Sequence, residues 1–210
     1  MDNRIAQVSG LRERQMELRR QAISEAAIEL FRDQGYAQTS IDQIAKLAGV
    51  SSPTVFKYYP SKQEILLGLL QEADQRAVLD LREVMHQFED PVDLLCHLES
   101  LLISYSLKVL PAPIWAELLP LVLSGGVGLP DSYHQMNHKL QGEIANVLRA
   151  LQEAGKLRAD LDVELAAFLL NDYSHVQLMR LVKATDPDRE EHNSNVRRIT
   201  SLLFHGMKAG

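Results

Sequence analysis

Residues 39–62 read TSIDQIAKLAGVSSPTVFKYYPSK. Ile41, Ile44, Ala45 and Ala48 recur at helical spacing and make one apolar stripe. Thr39 or Ser40 suits the N-cap of that helix, because a short side-chain oxygen can accept from the unpaired N–H groups of a first turn. Gly49 ends the helix, since glycine enters a left-handed turn without a Cβ clash. Ser51 or Ser52 caps a second short helix. Pro53 suits its first turn, where the N–H has no helical partner, and Pro60 closes it. Ala45 is small enough for the two helices to approach closely, and Val50 plugs the turn into a core. Val55 and Tyr59 lie i, i+4 on the inward face. Pro53, Thr54 and Lys57 then point outward, with Tyr58 at the rim. Two short helices joined by a glycine turn have the layout of a helix-turn-helix. Its outward face offers hydroxyls, an ammonium and an aromatic edge, groups that can contact base edges or phosphates.

The flanks carry the same helical period. Ile23, Ala26, Ala27, Leu30 and Phe31 form a stripe that stops at Gly35. Ser61 caps a long fourth helix from Lys62 to about Gln87, with Leu66, Leu69, Leu70, Ala73, Ala77 and Leu81 inward. Five more helices are predicted: from Asp90-Pro91 to about Leu110, Ile114–Ser124 with a kink at Pro120, Asp131 to about Gly155, Asp162 to about Ala184, and Arg189 to about Met207. Gly125, Gly126, Gly128 and Pro130 mark a loop, and residues 185–193 a polar linker. No run alternates with period two and no repeat is visible. The expected fold is all-α, with about nine helices. Residues 1–65 form the helix-turn-helix domain, with 1–10 as a flexible arm, and residues 66–210 a larger helical domain.

Composition bounds the function. The chain has 210 residues, 46% hydrophobic, one cysteine and a net charge of −6. That is enough apolar content for real cores. A lone Cys96 forbids an internal disulfide or a multi-cysteine zinc site and fits a reducing compartment, so a cytoplasmic location is expected. No run of apolar residues is long enough to span a membrane, and MDNRIAQVSGLRERQ lacks the apolar core of a secretory signal. An acidic total argues against a nucleic-acid partner, but the charge is unevenly placed. Residues 1–65 hold nine Lys and Arg against eight Asp and Glu, whereas the remainder holds thirteen against twenty. Arg4, Arg12, Arg14, Arg19 and Arg20 crowd the leader, either as a solvated helix face or as an arm that reaches DNA.

The stretch AISEAAIELFRDQGYAQTSIDQIAKLAGVSSPTVFKYYPSKQEIL, Ala22 to Leu66, resembles the TetR/AcrR family of transcriptional regulators. A helix ends in Phe-x-x-x-Gly-Tyr. There follow a threonine cap, Ile-Ala-x-x-Ala-Gly-Val-Ser, a short helix ending in Tyr-Tyr, and Ser-Lys-x-x-Ile-Leu. The resemblance implies that Thr54, Lys57 and Tyr58, beside Pro53, meet the major groove. It implies that Ser51 and Ser52 can donate to phosphate, that Lys62 is a phosphate contact, and that Thr39 and Ser40 open a second helix whose N-terminus favours phosphate. Phe56 stands where the family commonly has a tyrosine that reaches the backbone, and it cannot donate.

The resemblance further implies a homodimer and a small-molecule effector, largely apolar, that releases a repressor from a palindromic operator on double-stranded DNA. The helix after Asp162 is apolar nearly all round, as expected of a helix buried on more than one face. Leu165, Leu169, Tyr173 and Val176 on it, with Val196, Ile199, Leu203 and Met207 on the last helix, are the expected dimer face. The expected effector lining is His97, Tyr105, Trp115, Met136, Asn171, Asp172, His175 and Met179, a mainly apolar set with a few polar groups. No cofactor or metal is expected. His134 and His138 share i, i+4 spacing but have no evident third ligand. No nucleophile elbow, phosphate loop or His-Glu-x-x-His occurs, so no enzyme is expected. A ligand-dependent activator of the same family stays open, as do a helical adaptor and an enzyme on this fold.

Overall fold

The computed structural model describes residues 2–124, 129–184 and 188–206, and the side chains of that range except at 2–12, 117, 121 and 206. Within it the chain is all-helical, without a strand. The helices are α1 (Asp2–Gln34), α2 (Ile41–Leu47), α3 (Ser52–Tyr58), α4 (Lys62–Val84), α5 (Pro91–Val109), α6 (Ala112–Leu123), α7 (Asp131–Glu153), α8 (Val163–Lys183) and α9 (Arg189–Gly206), with one 3-10 turn at Met85–Gln87. The chain divides into two compact units, residues 1–69 and 70–210, and the division falls within α4.

At the start of the chain, residues 2–10 are the first turns of α1. Residues 2–10, DNRIAQVSG, hold no proline, and the run LRERQMELRR that follows at 11–20 consists entirely of strong helix formers. Residues 13–19 of the same helix are exposed. Arg14 and Arg19 are thus on a solvated helix face, while the side chains of Arg4 and Arg12 lie outside the described residues. The expected glycine loop at 125–128 and residues 185–187 of the linker also lie outside them, while the linker residues from Arg189 on are the first turns of α9.

In the first unit, α2 packs on α1 and α3. Ile23, Ala27, Phe31, Ile44, Val55 and Ile65 are fully buried. Ser40 caps α2 through a reciprocal box: its hydroxyl accepts from the Gln43 N–H at 3.2 Å, and the Gln43 side chain accepts from the Ser40 N–H at 2.8 Å. Gly49 takes φ +68° at the turn, and the Val50 N–H returns to the Ala45 carbonyl at 2.9 Å. Tyr59 closes the head, its hydroxyl sharing a 3.1 Å hydrogen bond with Ser24 on α1. Gly68 of α4 lets this ring in, because a Cβ there would stand 3.0 Å from Tyr59 Cε1. Gly68→Ala is therefore expected to destabilise the first unit by ~1–3 kcal/mol, the usual cost of overpacking, read as an earlier midpoint in urea unfolding.

In the second unit the core is continuous. Ala77, Val78 and Leu81 of α4 join Leu94, Leu98 and Leu102 of α5, Leu140, Ile144, Val147, Leu148 and Leu151 of α7, and Val163 and Ala167 of α8. Asp90 caps α5 and Asp162 caps α8 by accepting backbone N–H groups at 2.9 and 3.0 Å. α8 packs against both α6 and α7, and α9 against α5 and α8. α6 runs through Pro120 without ending.

Candidate functional site

Ser51 caps α3 and its hydroxyl shares a 2.8 Å hydrogen bond with Thr54. Pro53 fills the first turn, and Val55 and Tyr59 are buried. The helical period then leaves Pro53, Phe56 and Lys57 exposed on one stripe, with Thr54 and Tyr58 half-buried beside it. Phe56, 51% exposed, is the largest apolar group on that face. Ser40 and Ser51 are exposed, while Ser52 is half-buried and donates to the Asp42 carboxylate, which fastens α3 to α2.

Two of the expected phosphate contacts have other work. Thr39 is 2% exposed; its hydroxyl donates to the Gly35 carbonyl at 2.8 Å and accepts from Gln34 at 3.2 Å. It locks the loop between α1 and α2, and Ser40, not Thr39, caps α2. The ammonium of Lys62 donates to the carbonyls of Tyr36 and Thr39, both at 2.7 Å, and lies 4.3 Å from the centre of the Tyr36 ring. Two of its three N–H groups are thus turned into the same loop. Partial burial pulls its pKa below the ordinary lysine value.

In the second unit a cavity of about 50 Å³ lies among α4, α5, α6, α7 and α8. It brings together four of the expected effector residues: Trp115, Met136, Asn171 and His175. The other four are elsewhere. The His97 ring packs on Phe88 at 5.1 Å, Tyr105 donates to Asp80, Asp172 is exposed, and Met179 is half-buried outside the lining. The reading missed Asp74, Ser106, Tyr133, Asn137 and Ser174, which line the same space. Asp74 was detectable, since it stands four residues from both Leu70 and Val78, an acid on the buried stripe of α4. Burial pushes its carboxyl up to about 7 and pulls His175 below the ordinary histidine value. Asn171 donates to Asn137 at 2.9 Å and Trp115 Nε1 to the Ser106 carbonyl at 3.2 Å.

The outer face of α8 is apolar and uncovered: Leu165 is 63% exposed, and Phe168 and Leu169 are exposed beside it. On α9, Leu202 is 70% exposed. Leu165 and Leu169 therefore stand on a free face, with Tyr173, Val176, Ile199 and Leu203 half-buried. Val196 is a correction. It is 3% exposed, because the α9 period turns it inward with Thr200. Phe168 and Leu202 were missed, and Met207 lies outside the described residues. A larger cavity, about 390 Å³, lies among α5, α8, α9 and the Gly155–Leu161 turn, walled by Leu95, Leu161, Leu170, Leu203 and Phe204. Volume alone would favour it as a ligand site, but it borders this free face and has few convergent polar groups. His134 and His138 are exposed, and no metal-binding cluster forms among the described residues. No single described helix is long and apolar enough to cross a membrane.

Comparison with known proteins agrees with this geometry. Residues 23–69 match the bacterial regulatory proteins of the tetR family. The transcriptional regulator TcmR of Streptomyces glaucescens is 36% identical over 83 residues, 40% of this chain and 36% of TcmR. HbdR of an Aromatoleum species is 40% identical over 87 residues, 39% of this chain and 36% of HbdR. The chain thus spans about a third of the length of these curated relatives. A solved structure extends the likeness. FadR of Thermus thermophilus, a TetR-family transcriptional repressor in complex with lauroyl-CoA, superposes with a TM-score of 0.70 at 29% identity, over 91% of this chain and 96% of FadR. The helix-turn-helix of residues 23–69 is thus that of the tetR family of bacterial regulatory proteins, and the helical plan of the chain resembles that of a solved TetR-family repressor.

Proposed function

We propose that the protein is a transcriptional repressor that binds a palindromic operator as a homodimer and is released by a small, largely apolar effector. The exposed stripe of Pro53, Phe56 and Lys57 on α3 carries the DNA-binding part of this reading. It sets a cation and an apolar ring on the helix that a helix-turn-helix presents to the major groove. Lys57 can bond guanine acceptors or phosphate, and Thr54 can bond a base edge or phosphate. The Phe56 ring has no donor, and the contact open to it is a thymine methyl. A two-fold dimer would place two such helices about 34–36 Å apart, matching successive turns of the duplex.

The effector would enter the cavity among α4–α8. Its walls are mostly apolar, and the likeness to FadR, which holds lauroyl-CoA, supports a ligand with an apolar body. At about 50 Å³ the space holds only a few water-sized groups, so a larger ligand needs the helices to part. α4 starts at Lys62 and lines the cavity with Leu70 and Asp74. Ligand binding to a widened state would draw on α4 and lower operator affinity by no more than the ligand's preference for that state.

The test is selection of bound sequences from random DNA with purified full-length protein, which should return an inverted repeat. Enrichment of nothing beyond background would defeat the reading. On the selected site, Lys57→Ala is expected to cost about 1–3 kcal/mol. Replacing thymine by deoxyuridine at single positions, which deletes only the methyl, should weaken the parent at one position per half-site and leave Phe56→Ala unaffected there.

A further inference from the structure

The polar end of the cavity is chemically one-sided. Asp74 lines it from α4 and makes no hydrogen bond or ion pair with any described residue. Its surroundings are otherwise Tyr133, Met136 and Asn137 of α7 and Asn171, Ser174 and His175 of α8. Tyr133 is 4% exposed, and its hydroxyl is buried without a partner on the same wall. No lysine or arginine lines this space among the described residues. His175 is held toward its neutral form by burial, and Asp172 adds negative potential at Tyr133. On the far side of Asp74, a shallow cleft between α4 and α7 carries Lys139 and Glu143. Lys139 forms no ion pair with Asp74, and Glu143 pairs with Arg82 at 2.5 Å. Asp74 is half-buried, and a partly desolvated carboxylate with no partner favours a group that supplies a positive charge or a donor. An anionic head beside it would add like-charge repulsion.

From this geometry we infer that the effector cavity selects an amphipathic amine. Its ammonium would pair with Asp74 and donate to the Tyr133 hydroxyl oxygen, while its apolar body lies against Leu102, Ile103, Trp115 and Leu178. The inference rests on reading this cavity as the effector site, and it separates this chain from a regulator whose ligand is an acyl thioester.

The test compares n-hexylammonium, n-hexanol, n-hexanoate and hexanoyl-CoA on the full-length protein at mildly alkaline pH, by calorimetric titration without DNA. The four probes share one chain length and differ at the head. The expected result is hexylammonium binding at least tenfold tighter than each of the others. Asp74→Asn keeps the side-chain shape and should remove that preference while leaving hexanol binding unchanged. Tyr133→Phe, a second variant that needs no change at Asp74, should weaken hexylammonium several-fold and hexanol not at all. Three results would each overturn the inference: hexanoate or hexanoyl-CoA binding as tightly as the amine, no amine binding, or equal amine affinity in parent and Asp74→Asn. Operator affinity is measured separately with and without the amine. If the amine binds through Asp74 but leaves operator affinity unchanged, the site stands and the effector reading fails. If the parent binds no operator, the repressor reading fails while the calorimetry still decides the site.

Discussion

At about pH 8, Asp74→Asn and Glu99→Gln are each expected to raise the unfolding free energy by on the order of 3 kcal/mol. Both parent carboxyls are pushed up to about 7 by burial. Glu99 sits between α5 and α8 with one carboxylate oxygen buried and without a partner. A hydrogen bond with Ser174 only partly offsets its desolvation. Tyr173 lies beside it and is itself pushed up to about 12. The sign follows from the direction of these shifts. A carboxyl whose folded pKa exceeds its unfolded value gives full stability below the unfolded value and loses it as pH rises through the folded one. The parent should therefore weaken between about pH 4 and pH 7 and level off above. Neutral amides remove this slope one group at a time, so parent and variants should converge near pH 4. Urea unfolding across that range, at one protein concentration, is the measurement. A parent with level stability would mean that both carboxyls ionise without penalty.

The second large effect is on assembly. Leu165→Glu together with Leu202→Glu should convert a dimer into a monomer and lower operator affinity by at least about 100-fold, since joining two half-site contacts typically multiplies affinity by 10²–10⁴. The reason is the apolar face formed by Leu165, Phe168 and Leu169 of α8 and Leu202 of α9, each at least two-fifths exposed. A monomer has no use for so many large apolar groups on one face, and charges there would be left against one another in a two-fold contact. Both sites are exposed, so the monomer should stay folded, as circular dichroism would show. Native mass spectrometry reads the assembly state. A double variant that remains dimeric would place the interface elsewhere.

Helix limits were the most legible part of this chain because capping residues and glycines announce them locally. Gly35, Gly49, Ser51, Pro60 and Asp162 each mark a boundary within a residue or two of the observed one. The facing of residues inside a helix was less legible. Val196 and Phe168 are both apolar residues on amphipathic helices, and only the packing of α9 on α5 and of α8 on α7 decides that one is buried and the other free. The cavity was half legible for a similar reason. Trp115, Met136, Asn171 and His175 stand out by residue type, yet their neighbours Tyr133 and Asn137 come from a helix whose facing depends on three others. His97 and Tyr105 stand out equally by type, but Phe88 and Asp80 occupy them. The helix-turn-helix resemblance located α3 correctly, while the stripe it presents includes Phe56 and its flank gives Thr39 to the loop.

Lys62 has a consequence for how binding data are interpreted. A lysine that neutralises a phosphate displaces condensed counterions, and its removal lowers the slope of log affinity against log salt by close to one unit. Lys62 instead spends two of its donors on the carbonyls of Tyr36 and Thr39. Lys62→Ala should thus lower operator affinity by letting that loop, and the start of α2 after it, drift. The counterion count would stay nearly constant, whereas Lys57→Ala should reduce it. Two lysines five residues apart would then look alike in a single-salt assay and part company only in a salt titration.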